Sequence, residues 1–135
     1  MNCEICGKEE AEIHHIVFRR EATYMTNIKV NHKYLCSQCH RGKDGPHNNK
    51  EVDRYYKKQL QEELFLMFKE KDFYNKEDVK RILDISISEA IRILRPLKKY
   101  KEGFDKKDII KRLMGGRLYY VKEELEIIDL IEQLK

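Results

Sequence analysis

Residues 3–48 read CEICGKEEAEIHHIVFRREATYMTNIKVNHKYLCSQCHRGKDGPHN and hold all four cysteines and all five histidines of the 135-residue chain. Two Cys-x-x-Cys pairs, Cys3/Cys6 and Cys36/Cys39, are separated by 29 residues and enclose the dipeptide His14-His15; the second pair runs directly into His40. Each pair can aim two thiolates into one tetrahedral site from a tight turn, and two pairs fill the four positions that structural zinc prefers. A structural Zn2+ held by Cys3, Cys6, Cys36 and Cys39 is therefore expected. Disulfides are the competing reading. Nothing resembling a signal peptide precedes Cys3, which points to a reducing, cytoplasmic compartment and disfavours them. A redox centre would need one such motif inside a βαβ pattern, and none is visible.

Four thiolates close that site, so the histidines need another reason to be present. The interval between the pairs is longer than a minimal zinc ribbon requires, and it carries His14, His15, Asn31 and His32. His40 and His47 follow the last cysteine. Taken singly, each has a bland reading as a solvated or satisfied side chain, and asparagine favours turns. Their order and separation on a scaffold stapled at both ends favour a working site.

Four pieces carry a resemblance: His14-His15-Ile16, Asn31 five positions before Cys36, Leu35-Cys36-x-x-Cys39-His40, and Gly45-Pro46-His47-Asn48-Asn49-Lys50-Glu51. Together they resemble the HNH nucleases of the ββα-metal fold, in particular the zinc-stapled members of bacteria and their phages, over residues 1–65. The resemblance implies a metal-dependent DNA endonuclease in a bacterial or phage-infected cell. Phosphodiester hydrolysis needs a base to activate water, a divalent cation to stabilise the charge that develops, and a group that holds the base in register. By resemblance His15 is the base, Asn31 pins the loop that orients it, and His14 and His40 are ligands of the catalytic cation. The third ligand is His47 or Asp44, with His47 favoured because imidazole suits the same borderline metals as the other two. The cation itself, Mg2+, Mn2+, Ni2+ or Zn2+, is left open. Arg19 and Arg20, with Arg41 and Lys43 beside His40, would face the DNA phosphates. His32 has no matching role and reads as a surface histidine or a phosphate contact.

Around this core the expected class is α+β: a nuclease module over residues 1–50, an amphipathic helix over 51–71 and a mainly helical, DNA-docking unit over 72–135. The module would contain strands near 12–19 and 28–35 and a short helix carrying His40. Strand alternation would send His14 and His15 to opposite faces unless the chain is twisted or bulged there. From 49 to 71, Val52, Tyr56, Leu60, Leu64, Met67 and Phe68 recur at three- and four-residue steps with no glycine or proline, which predicts one long helix. Beyond it, a helix at 76–83 and a second one capped by Ser86 or Ser88 suggest a helix-turn-helix, with Pro96 kinking or shortening the second. A further helix is expected at 106–114, a strand or wing at 117–121, and an acidic amphipathic helix at the end that packs on the domain or forms a homodimer.

The net charge of +4 is modest, but the charges are segregated. Residues 92–117 hold ten Lys or Arg against three acids, whereas 123–135 hold five acids against one base. Arg92, Arg95, Lys98, Lys99, Lys111 and Arg112 in the basic band are expected to contact DNA backbone. With no run of 18 apolar residues, no membrane span is expected. The competing class is a non-catalytic zinc module, a DNA-binding regulator or a protein-interaction unit that keeps the same fold.

Overall fold

The computed structural model describes residues 1–120 and 122–134, apart from the side chains of residues 122, 123, 125 and 128. Strand β1 (Glu12–His15) pairs antiparallel with β2 (His32–Leu35), setting Glu12 opposite Leu35 and His15 opposite His32. Both strands are shorter than their apolar patterns predict. Val17, Met25 and Ile28 are fully buried, so the chain turns inward after His15 and packs on itself instead of extending the ladder. One 3-10 turn, Thr23–Met25, lies in the connecting loop, and a second, Lys29–Asn31, occupies the stretch where the second strand was expected to start.

Asn31 does the work of the missing ladder. Its side chain is buried; Oδ1 accepts from Val17 N at 2.7 Å, and Nδ2 donates to the carbonyls of Val17 at 3.0 Å and Met25 at 3.2 Å. Its own carbonyl accepts from Ile16 N at 2.9 Å. One amide thereby satisfies both backbone groups of Val17, which would otherwise be buried without partners.

Helix α1 (Ser37–Arg41) starts at the second cysteine pair, with Cys36 as its N-cap, and ends at Gly42. The return loop needs glycine at Gly45, where a Cβ would lie 2.5 Å from the His40 carbonyl oxygen. Asn48 Nδ2 donates to the carbonyls of Arg41 and Gly42, closing that helix end, and the Asn49 side chain caps α2 (Lys50–Met67). Tyr56, Leu60, Leu64 and Phe68 form its buried stripe at four-residue spacing. The helix ends at Met67, short of residue 71, with Phe68 as its C-cap and buried in the core.

The remainder is β3 (Phe73–Tyr74), α3 (Lys76–Leu83), α4 (Ile87–Leu94), β4 (Lys99–Tyr100), β5 (Gly103–Asp105), α5 (Lys106–Leu113) and α6 (Lys122–Gln133). Helices α3 and α4 each start with a reciprocal capping box, Asn75 with Asp78 and Ser86 with Glu89, which satisfies two of the free N–H groups at each start. Pro96 lies just beyond α4, which it shortens rather than kinks. The short strands form one sheet in the order β3-β5-β4. Gly103 (φ +126°) permits it, since a Cβ there would lie 2.8 Å from the Tyr74 carbonyl oxygen.

The hairpin therefore sits at 99–105, not at 117–121. Residues 117–120 form no strand, and Val121 lies outside the described residues. The Gln61 amide takes both backbone hydrogen bonds of Tyr119, donating to its carbonyl at 2.8 Å and accepting from its N–H at 2.6 Å. A side chain on α2 thus occupies the place of a strand partner.

One cluster of buried apolar residues runs from Cys3 and Val17 through α2 to Ile109, Leu113 and Tyr119. On α6 the described apolar side chains Ile127, Leu130 and Ile131 are exposed, as is Leu134 just beyond it; those of Leu125 and Ile128, expected on the same face, lie outside the described residues. The chain is a mixed α+β protein with small sheets and six α-helices among the described residues, and none of these helices is long and apolar enough to cross a membrane.

Candidate metal centres

The two cysteine pairs converge: the Sγ atoms of Cys3, Cys6, Cys36 and Cys39 lie within 4.8 Å of one another. Cys6 Sγ and Cys36 Sγ are 3.6 Å apart and none of the four forms a disulfide. Thiolates bound to one tetrahedral ion at about 2.3 Å would stand roughly 3.8 Å apart. Backbone N–H groups of Ile5 and Cys6 point at Cys3 Sγ, at 3.4 and 3.5 Å, and that of Cys39 points at Cys36 Sγ at 3.4 Å. Burial opposes the thiolate of Cys3, but N–H donors at Cys6, Cys36 and Ile5 outweigh it and bring the pKa to about 6. Burial and the neighbouring sulfurs push Cys39 up to about 12. Some thiolates are stabilised while a full set repels itself, and a cation relieves that conflict. The cluster is compatible with a structural metal such as zinc.

The second cluster is built by three elements. His14 comes from β1, His40 from α1 and His47 from the loop before α2, and one ring nitrogen of each lies within 4.8 Å of the others. Nε2 of His40 and Nε2 of His47 are 2.9 Å apart. Two nitrogens bound to one ion at 2.0–2.1 Å would stand about 2.9 to 3.4 Å apart for angles between 90° and the tetrahedral value. His40 Nδ1 donates to Glu12 Oε1 at 2.7 Å, which leaves its Nε2 lone pair facing His47. Glu12 also accepts two bonds from Arg41, at 2.9 and 2.6 Å. The His40 bond, then Arg41, holds the Glu12 carboxyl below the usual carboxylate range against the effect of burial.

His14 is the unusual member. It is 1% exposed, and neither Nδ1 nor Nε2 has a hydrogen-bond partner among the described residues. Burial, then His40 and His47, lowers its pKa to about 3, so the ring is neutral. Burying such a ring unpaired costs on the order of 1–3 kcal/mol per polar atom. A cation among the three imidazoles would remove that cost.

His15 lies beside this cluster. With His14, His40, His47, Phe18 and Arg19 it lines a cleft of about 120 Å³, so the dipeptide opens onto one space despite strand alternation. The His15 ring meets that of His32 edge-on at 5.3 Å. Burial, His32 and Arg19 lower its pKa, with the Thr26 carbonyl opposing, which favours the neutral imidazole. His32 Nε2 is 2.8 Å from the same Thr26 carbonyl. The hydrogen bonds of Asn31 fix the backbone at Ile16 and Val17, directly after His15.

The other expected residues scatter. Asp44 lies apart from the histidines, in a cavity on the cysteine side with Lys43, Cys6 and Cys39. Arg19 lines the histidine cleft, and Arg20 lies over the Phe18 ring at 5.1 Å. Arg41 is held by Glu12, and Arg92 donates to Thr23 Oγ1 at 3.3 Å. Arg95 and Lys99 line a cavity of about 410 Å³ between α4 and the hairpin, while Lys98 lies over Tyr100. Lys111 is exposed. Arg112, expected to face DNA, is turned inward: its Nε donates to the Ile93 carbonyl at 3.0 Å and its guanidinium lies 3.6 Å from the Tyr24 ring centroid. The Tyr24 hydroxyl in turn donates to the Arg112 carbonyl at 2.7 Å. Sequence reasoning passed over Glu12, although it stands two residues before His14 and so shares its strand face. Compared with family models, curated proteins and solved structures, the chain finds no match.

Proposed function

We propose that the protein is a metal-dependent DNA endonuclease of the HNH type, in which Cys3, Cys6, Cys36 and Cys39 bind a structural Zn2+ that staples a ββα-metal module. The observation that carries this reading is the buried, unpartnered His14 ring in contact with His40 and His47, with His15 on the same cleft. His14, His40 and His47 would hold one divalent cation, which supplies Lewis-acid stabilisation of charge developing on the phosphate. Three imidazoles suit Zn2+ or Ni2+ better than Mg2+, which favours oxygen donors.

The chain's own groups divide the remaining work. His15 takes the proton of the attacking water. Glu12 fixes the tautomer and orientation of His40, as carboxylates behind ligating histidines commonly do. Asn31 fixes the loop after His15, and Arg19 draws the phosphate into the cleft. The pair α3–α4 with the β4–β5 hairpin serves as a helix-turn-helix-like unit that docks on duplex DNA through the exposed Arg95 and Lys98.

Supercoiled plasmid incubated with Mg2+, Mn2+, Ni2+ or Zn2+ tests the reading. Wild type should nick the plasmid with at least one of them, and His15→Ala should not while keeping its fold and zinc content. If wild type is inert with every metal and still binds DNA, the protein is a non-catalytic zinc regulator and the proposal fails.

A further inference from the structure

The histidine cleft is too small for more than the reacting phosphate, so a bound strand must continue elsewhere on the surface. A second groove opens from it. Its volume is about 460 Å³, and it shares Phe18 and His47 with the cleft. That volume lies within the range of about 300–1,000 Å³ typical of ligand sites and exceeds what a lone phosphate ion needs.

The groove is positive where it meets solvent. Its two acids, Glu21 and Asp53, are both engaged by Lys57 at 3.0 Å, and the Lys57 side chain is only 6% exposed. Lys57 also lies 4.3 Å from the Phe18 ring centroid, so the floor is packed around one ammonium shared by two carboxylates, with Asp53 Oδ1 buried and without a hydrogen-bond partner among the described residues. The rim carries Arg20, Lys50, Arg54 and Arg117. Arg20 lies on the Phe18 ring and Arg117 on the Tyr119 ring, at 5.1 and 4.6 Å. Guanidiniums laid on aromatic faces are already ordered and lose less freedom on meeting a phosphate. Arg54 is held by the Tyr120 carbonyl. Lys50 stands at the first position of the 18-residue α2, where the helix dipole adds positive potential.

We propose that this groove is a phosphodiester-backbone site that takes the DNA strand leaving the histidine cleft, with Arg20, Lys50 and Arg117 on phosphates next to the scissile one. It rests on the nuclease reading for its alignment with the reacting phosphate, but the binding it describes can be measured alone. Contacts of this kind are independent of base sequence and weaken with salt.

The experiment uses the full chain carrying His15→Ala, with Lys50→Gln and Arg117→Gln added singly and together, and labelled single-stranded and duplex oligonucleotides titrated across a salt series. Each substitution should weaken binding several-fold, equally for unrelated sequences, and lower the slope of log affinity against log salt by about 0.7–0.9. The double variant should lower it by about twice that, and Lys8→Gln, on the cysteine side, should leave it unchanged. Unchanged slopes in variants that keep their melting temperature and zinc content would overturn the groove. So would inorganic phosphate displacing the oligonucleotide at equal charge concentration, because the site would then hold a free anion. Reduced slopes in these variants, together with a wild-type chain that no metal makes nick DNA, would leave the groove standing and remove the nuclease reading instead.

Discussion

Replacing Asn31 with alanine removes a clamp whose cost follows from its contacts. The side chain is 0% exposed and makes three hydrogen bonds, one to Val17 N and two to the carbonyls of Val17 and Met25. Val17 and Met25 are both 0% exposed, and each buried group left unsatisfied costs about 1–3 kcal/mol. A carbonyl tolerates the loss better than an N–H, so the sum falls at about 3–5 kcal/mol, among the largest effects a single substitution produces. Urea denaturation followed by far-UV circular dichroism, at fixed zinc concentration, measures it. Asn31→Asp should do no better, because it keeps the acceptor for Val17 N but turns a carboxylate oxygen toward two carbonyls. A loss below about 1 kcal/mol for Asn31→Ala would refute the reasoning, since the penalty for even one orphaned N–H is of that size.

Glu12→Gln should keep the fold but weaken metal binding at the histidines by about 10–100-fold, as loss of an orienting carboxylate does elsewhere; a competition titration with Zn2+ or Ni2+ measures it. Arg112→Ala should cost about 1–3 kcal/mol through its lost bonds to Ile93 and the Tyr24 ring, yet leave the salt dependence of DNA binding unchanged, which separates an internal arginine from a DNA contact. Asp78 has its pKa lowered despite burial, by the Asn75 N–H and then by Lys71 and Arg81. A depressed carboxylate pKa contributes stability that is full above the unfolded value of about 3.9 and is lost as pH falls through the folded value. The stability gap between wild type and Asp78→Asn should therefore be present at neutral pH and close in acid, as thermal melts across pH would record. Stripping metal from the cysteines with a chelator, or replacing Cys36 with serine, should abolish metal binding at the histidines as well, detected as loss of both metals by elemental analysis.

What could be read from sequence depended on how many residues each feature spans. The stripe of α2 repeats over three turns, and the Asn75/Asp78 and Ser86/Glu89 boxes are complete within four residues, so these elements were legible from local pattern. Strands of two residues, Phe73–Tyr74 and Lys99–Tyr100, are too short to show a period, and their pairing depends on Gly103 fitting against Tyr74, a neighbour distant in sequence. The segment 117–120 has strand-forming residues, but Gln61 occupies the backbone of Tyr119. At the histidines, the resemblance implied His14 and His40 as ligands with His47 or Asp44 as the third, and the fold brings His14, His40 and His47 together. The resemblance favoured His47 but left Asp44 open, because the turn at Gly45 decides which of them faces the cleft. The inward course of Arg112 was likewise hidden: a basic residue on a polar helix face looks the same whether it meets solvent or, as here, the Tyr24 ring.

Helix α1 explains why the two clusters are not independent. Five residues are far fewer than an isolated helix needs to persist in water, so its position is set from outside. At its start Cys36 and Cys39 belong to the thiolate cluster, and at its end His40 and Arg41 are tied to Glu12 on β1. If the cysteine anchor is released, His40 is left on a segment with no intrinsic reason to be helical, and the His14 ring loses the partner nearest to it. Cys3 and Cys36 are buried, whereas His47 is exposed at the edge of an open cleft. A metal held by the cysteines would act as a ligand of folding, and a cation held by the histidines would exchange from a scaffold already built.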